Sequence, residues 1–182
     1  GGGIAYSNFS GGGSFSLRSS TITNNVASGA TQQGGGVLFH VFASGVPMDI
    51  QNTIIAGNTR DCGITINPPT SLGFNLIQDL TECPLTLLDS DITGVDAGLD
   101  ALSDNGGPTQ THAPLAGSPA IGNGAAEECA DAAGNVLTTD QRGFPRPVGT
   151  ACDIGAFETQ DSEPPTLTIP DDISVEGDTT GG

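Results

Sequence analysis

The residues best equipped for chemistry lie between Thr138 and Glu158, in TTDQRGFPRPVGTACDIGAFE, where Arg142 and Arg146 stand among Asp140, Asp153 and Glu158. Two carboxylates facing each other about 5 to 9.5 Å apart on neighbouring strands, one with a raised pKa, would suit glycoside hydrolysis. The same five residues would also suit a buried clamp. In that reading Arg142 forks onto a carboxylate such as Asp153 or Asp140, Pro145 and Pro147 stiffen the loop, and Cys152 fastens it. The spacing favours the clamp. A cleavage site elsewhere is poorly supplied: residues 1 to 60 hold one carboxylate, Asp49, and Arg18 and Arg60 lack the acidic cluster nearby in sequence that a calcium-assisted lyase would use. No catalytic residue is expected.

A second stretch, DSDITGVDAGLD, sets Asp89, Asp91, Thr93, Gly94 and Asp100 at positions 1, 3, 5, 6 and 12 of a calcium-binding loop. The match is partial. Position 12 is Asp where a bidentate Glu is usual, Asp96 occupies the normally apolar position 8, and the flanks are not helical. A Ca2+ site drawn from Asp89, Asp91, Thr93, Asp96 and Asp100 and a solvated acidic turn both stay open. His40, between Phe39 and Val41, has no carboxylate or second His near it in sequence, and His112 sits in the Pro-containing loop QTHAPLAGSP. Packing or hydrogen-bonding roles are expected for both.

The elements that must position these groups are strands. The chain has 182 residues, enough for one domain of ordinary size or one domain plus the edge of another. Seven Phe, one Tyr and no Trp, with plentiful Gly, Thr, Ser, Asn and Ile, are β composition with tight turns. GGGIAY at residue 1 returns as GGGVLF at residue 34, Leu17 as Ile50, Ile22 as Ile55 and Asn25 as Asn58, at a constant offset of 33. Within each copy, SFSLRSSTITNN and MDIQNTIIAGN alternate apolar with small polar residues and reach Asn where the chain must turn. One coil of a parallel β-helix fits this unit, with Ile22 stacked on Ile55 and the Asn25 and Asn58 amides bonded along the axis. A Gly-rich antiparallel sandwich is the alternative.

After Arg60 the period is lost. Residues 61–158 carry 14 of the 21 carboxylates, and 159–165, containing TQDSEPP, reads as a linker. Residues 166–182 alternate Leu167, Ile169, Ile173 and Val175 as the first strands of an incomplete further domain. The expectation is all-β: β-helix coils over 1–60, a loop-rich β cap over 61–158, then an extended β tail.

There is no Lys, and four Arg against 21 carboxylates give a net charge of −17. Nucleic acid and anionic membrane surfaces are poor partners, and no apolar run is long enough to insert in a bilayer. With neither an initiator Met nor a signal peptide, the sequence reads as a piece of a longer protein. Cys62, Cys83, Cys129 and Cys152 are separated by 20, 45 and 22 residues with no CxxC, which suits two disulfides in an oxidising compartment better than zinc. Of the three pairings, the short-loop one, Cys62 with Cys83 and Cys129 with Cys152, is expected.

Four motifs carry a family resemblance: NTIIAGNTRDC, SLGFNLI, LSDNGGPTQTHAPLAGSPAIGNG and TDQRGFPRPVGTACDIGAFE. Over about residues 50 to 158 the chain resembles the choice-of-anchor (Q-type) module that follows the last coils of bacterial right-handed parallel β-helix surface proteins. SEPPTLTIPDDISVE resembles the opening of a hyalin repeat, an immunoglobulin-like adhesive domain. The resemblance implies a secreted or surface-attached protein without established catalytic residues. Gly122 in SPAIGNG departs from the family's usual SPAIDAG, which puts any role of that carboxylate in doubt.

The leading functional expectation is a structural or adhesive module, a rod end that joins other domains of a longer chain or self-associates into an extracellular fibre. The alternatives are a β-helix face that takes surface glycans, with Phe9, Phe15, Phe39 and Phe42 as the only candidate aromatics and two expected to point inward, and a fragment of a polysaccharide-degrading enzyme. Unpaired strand edges at GGGIAY would need closure, either by donation of PPTLTIPDDISVE from a neighbouring subunit or by missing parts of the parent chain.

Overall fold

The computed structural model describes residues 3–28, 34–42, 44–83, 85–126 and 129–160. Among them the chain is all-β. Its strands are β1 (Ile4–Asn8), β2 (Phe15–Arg18), β3 (Thr21–Thr23), β4 (Val37–Val41), β5 (Met48–Gln51), β6 (Ile54–Ala56), β7 (Cys62–Ile66), β8 (Thr70–Ser71), β9 (Leu76–Ile77) and β10 (Ile92–Thr93). They form three sheets, ordered β1-β4-β7, β2-β5-β8 and β10-β9-β6-β3, and every strand pairing in them is parallel. Parallel neighbours need a long crossover. Here the crossover from β1 to β4 is made of β2 and β3, so the chain visits the three sheets in rotation. That excludes the antiparallel sandwich for these strands.

The register explains the sequence repeat and its disappearance. Ile4 lies beside Val37, Leu17 beside Ile50 and Ile22 beside Ile55, and hydrogen bonds between these rungs span 33 residues. In the next rung Val37 lies beside Cys62, Asp49 beside Thr70 and Ile54 beside Leu76. Inter-rung bonds now span 22 residues from Thr53 to Asn75 and 21 from Gly57 to Gln78, then 16 from Asn75 to Asp91. The loss of period after Arg60 is therefore not a break in the sheets. The loops shorten while the strands stay stacked, and β7, β8 and β9 extend all three sheets within the segment expected as cap.

The corners follow from residue type. Ser19 at φ 45° turns β2 into β3, and Asn52 at φ 51° turns β5 into β6. Such left-handed backbone costs Asn less than most residues, because its short polar side chain bonds locally.

Alternation places Leu17, Ile22, Val37, Phe39, Val41, Met48, Ile50, Ile55 and Ile77 between the three sheets, with Cys62 and Cys83 in the same cluster. β6 is buried throughout, so its outward residues also need cover. Ile54, Ala56 and Leu76 receive it from Ala97, Ala120 and Ile154. The later part of the expected cap thus lies along the outer face of the β3-β6-β9-β10 sheet rather than across an end of the stack. That face is apolar and would otherwise meet water. Within the covering segment itself the backbone pairings are isolated antiparallel bridges, such as Ser103 with Thr111 and Thr139 with Pro145. The tail expected over 166–182, and the strand donation expected of it, lie outside the described residues, as does the linker beyond Gln160. No helix among the described residues is long and apolar enough to cross a membrane.

Candidate functional site

Asp140 begins a tight turn and holds it with its own carboxylate. Oδ1 accepts from the backbone N–H of Arg142 at 2.8 Å and of Phe144 at 3.1 Å, the local bonding for which Asp is favoured in turns. Oδ2 accepts from Arg142 Nε at 2.8 Å, and Arg142 Nη2 lies 2.7 Å from the same oxygen. The N–H of Glu158 also donates to it, at 3.0 Å. Arg142 therefore pairs with Asp140 and not Asp153, and side-on to one oxygen, because the other is spent on the turn. Its remaining hydrogens go to the carbonyls of Glu158 at 2.6 Å and Asn105 at 3.3 Å. The guanidinium lies 3.4 Å from the Phe157 ring centroid and 4.6 Å from that of Phe144, a stacked arrangement that a planar cation accepts and an ammonium does not. Gly107 makes room: at φ 85° a Cβ there would stand 2.6 Å from Arg142 Cα.

Arg146 is the deeper of the two cations, with 1% of its side chain exposed. It donates to the carbonyls of Gly155 at 2.8 Å and Asp153 at 2.6 Å, and its Nε lies 3.4 Å from Glu158 Oε2. Glu158 in turn accepts from the N–H of Val148 at 2.8 Å and of Asp153 at 3.0 Å. Asp153 accepts from Gly122 N–H at 2.8 Å and from both the N–H and hydroxyl of Thr159 at 2.7 Å. The position where the resembled family carries Asp thus presents a backbone donor to a carboxylate here.

Burial and bonding pull the charges in different directions. Burial opposes the Asp140 carboxylate, but the Arg142 side chain and three backbone N–H donors outweigh it and hold its pKa below the ordinary value. Burial pushes Glu158 up against its two backbone donors and Arg146, and it pulls Arg146 down against Glu158, Asp153 and Asp140. The five residues tie Asn105, Gly122, Val148, Gly155 and Thr159 to one another. A hollow lined by Ser19, Ser20, Leu137, Thr139 and Gln141 borders them, with Asp140 and Arg146 in its wall. The Asp140 and Glu158 side chains expose no surface to it, whereas an acid or base must reach its substrate.

The disulfides join Cys62 to Cys83 and Cys129 to Cys152. The first fastens β7 to the loop after β9, and the second closes a loop that contains Asp140, Arg142 and Arg146 of the clamp. Cys152 also touches Asn52, whose amide reaches its sulfur at 3.7 Å and the Asp153 carbonyl at 3.3 Å.

The calcium reading is not supported by the geometry. Among the described residues no group of three or more His, Cys, Asp or Glu is placed to hold a metal ion. Asp91 instead accepts from Ser71 hydroxyl at 2.6 Å, Leu88 N–H at 2.8 Å, Asn75 N–H at 2.9 Å and the Asn75 amide at 3.0 Å. Asp96 and Asp100 each accept a local N–H, from Gly98 and Ala101. Thr93 lies on β10. Asp91 is thus a corner residue locking one rung to the next, a role the spacing did not signal.

Arg18 bonds Asp49 at 3.1 Å and Gln51 across β2 and β5, and Arg60 pairs with Glu82 at 2.7 Å. His112 Nδ1 bonds the Asp100 carbonyl at 2.7 Å. His40 packs against Phe9 and Phe42 with ring centroids 5.5 and 4.8 Å away. Phe39 is buried and Phe15 packs on the core, whereas Phe9 and Phe42 are exposed. Compared with known proteins, the chain matches no family model, no curated protein and no solved structure.

Proposed function

We propose that the chain is a non-enzymatic structural or adhesive module of a secreted or cell-surface protein. In this reading the three rotating sheets are end coils of a right-handed parallel β-helix, and the segment up to Glu158 is a disulfide-locked flank of the choice-of-anchor kind. The observation that carries it is the closure of the clamp. Asp140, Arg142, Arg146, Asp153 and Glu158 bond chiefly to backbone groups and to one another, so they hold strands and turns together and leave no acid, base or nucleophile at a surface. The two disulfides support an oxidising compartment. Self-association, or joining to other domains of a longer chain, is the partner such a rod would have.

Negative-stain electron microscopy of the 182-residue chain, with hydrolase and lyase assays on polysaccharides run beside it, tests the reading. Elongated particles or filaments without turnover are expected. Polysaccharide cleavage that is lost in Asp140→Asn or Glu158→Gln, with the fold retained by circular dichroism, would overturn it.

A further inference from the structure

The β1-β4-β7 sheet turns an unusual outer surface to solvent. Alternation sends Ile4, Tyr6, Val37, Phe39 and Val41 inward, leaving Leu38 and His40 outward on β4, Phe42 outward just after it, and Ala5 and Ser7 outward on β1. The ladder runs one step past the strands, with Phe42 N–H bonded to the Asn8 carbonyl at 2.9 Å. That step sets Phe9 beside Phe42, their rings 5.3 Å apart and inclined by only 20°. Phe9 is 66% exposed and Phe42 48%. Single exposed apolar residues are common, but three clustered rings on an open face mark an interaction site.

The chemistry around the rings selects the occupant. β1, β4 and β7 carry no Asp, Glu, Lys or Arg, and no carboxylate precedes Asp49 in a chain whose net charge is −17. A cationic partner is drawn to the molecule as a whole but finds no carboxylate on this sheet to hold it at the rings, and an anionic one is repelled. The partner is also not wholly apolar, because the His40 ring, whose nitrogens bond no described residue, lies 5.5 Å from the Phe9 ring and 4.8 Å from the Phe42 ring, centroid to centroid. A pyranose ring fits this combination. Its polarised C–H face meets the negative face of an aromatic ring, its hydroxyls reach the imidazole, and it carries no charge.

We propose that Phe9, His40 and Phe42 form a stacking platform for an uncharged glycan. This deepens the adhesive reading and rests on it, naming what the surface would adhere to.

Affinity electrophoresis of the 182-residue chain in gels containing hydroxyethylcellulose, dextran or galactomannan, with polygalacturonate as the anionic comparison, tests the platform. At least one uncharged polymer should retard the protein and polygalacturonate should not. Phe9→Ala and Phe42→Ala should each weaken retardation about tenfold with melting unchanged, because both rings are exposed. Phe42→Trp and the remote Val136→Ala should bind as the parent does. Retardation by none of the three polymers, or retardation that survives both Phe→Ala changes, overturns the proposal. So does a dimer in sedimentation that Phe42→Ala converts to monomer, which would make the patch a contact between copies. Each of these outcomes is read independently of the micrographs and turnover assays that test the structural reading.

Discussion

The Asn25 side-chain amide donates to Asn58 Oδ1 at 3.0 Å, and the Asn58 amide passes the connection on to Asp61 Oδ1 at 2.9 Å. Asp61 completes the line by accepting the Asp79 N–H at 2.7 Å on its other oxygen. Successive rungs are thus joined at one corner by side chains as well as by the backbone ladder, and Asn58 sits at the centre. It also donates to the Ile22 carbonyl at 3.0 Å and accepts the Asn25 N–H at 2.9 Å.

Asn58→Ala should therefore cost about 1 to 3 kcal/mol, the penalty for stranding partly buried donors and acceptors. Asn123→Ala, at an exposed site, should cost far less. Urea denaturation followed by circular dichroism checks this, and equal midpoints for the two variants would rule out the ladder as a source of stability.

Both disulfides should appear in non-reducing peptide maps as Cys62–Cys83 and Cys129–Cys152. Their sequence separations are 21 and 23 residues, so each should contribute roughly 3 kcal/mol by restricting the unfolded chain. Reduction should lower the melting temperature in two separable steps when the Cys62→Ser/Cys83→Ser and Cys129→Ser/Cys152→Ser pairs are compared. Four free thiols in the oxidatively prepared protein would contradict both the pairing and the oxidising compartment.

What the sequence made legible follows from where one rung copies another. Ile22 over Ile55 and Asn25 over Asn58 could be read because the loops between those rungs have equal length, so the stack is written as a fixed offset. The third rung could not, since its offset changes from sheet to sheet while its strands shrink to the two-residue β8 and β9. The role of Asp91 was not legible for a related reason. Its spacing to Asp89 and Thr93 imitates an ion loop, but beside the local Leu88 N–H its donors are Ser71 and Asn75 of the preceding rung. The clamp was half legible: charge types at close spacing announced an ion-pair cluster, whereas the choice of Asp140 for Arg142, and the Phe157 ring beneath it, depend on how the turn folds.

Acid titration should show opposing contributions. Asp61 and Glu158 have raised folded-state pKa values, chiefly from burial. Each contributes stability that is present below its unfolded value and lost as pH rises through its folded one. Asp140 is the reverse: burial is outweighed by bonding, its pKa is lowered, and its contribution is lost as pH falls through that lowered value. Stability should rise as pH drops from neutral toward the ordinary Glu value of 4.5, then fall below the ordinary Asp value of 3.8. Melting temperatures across that range check the sign, and a steady decline from neutral pH would contradict it.

Arg142 decides whether the cluster is glue or chemistry. Only 6% of its side chain is exposed and none of that of Asp140, so a replacement must fill the same dry site. Arg142→Lys keeps the charge but loses the plane that stacks on Phe157, and it cannot reach Asp140, Asn105 and Glu158 at once. An ammonium left there with fewer partners than donors should cost about 2 to 4 kcal/mol. Phe157→Leu, which removes the stacking surface and leaves the hydrogen bonds, should cost less, and adding it to Arg142→Lys should cost less than the sum because the two act through one contact. A double-mutant cycle in denaturant measures this coupling. Additive losses would mean that the ring and the guanidinium are independent, and unchanged stability in Arg142→Lys together with loss of an enzymatic activity would make the cluster a catalytic one.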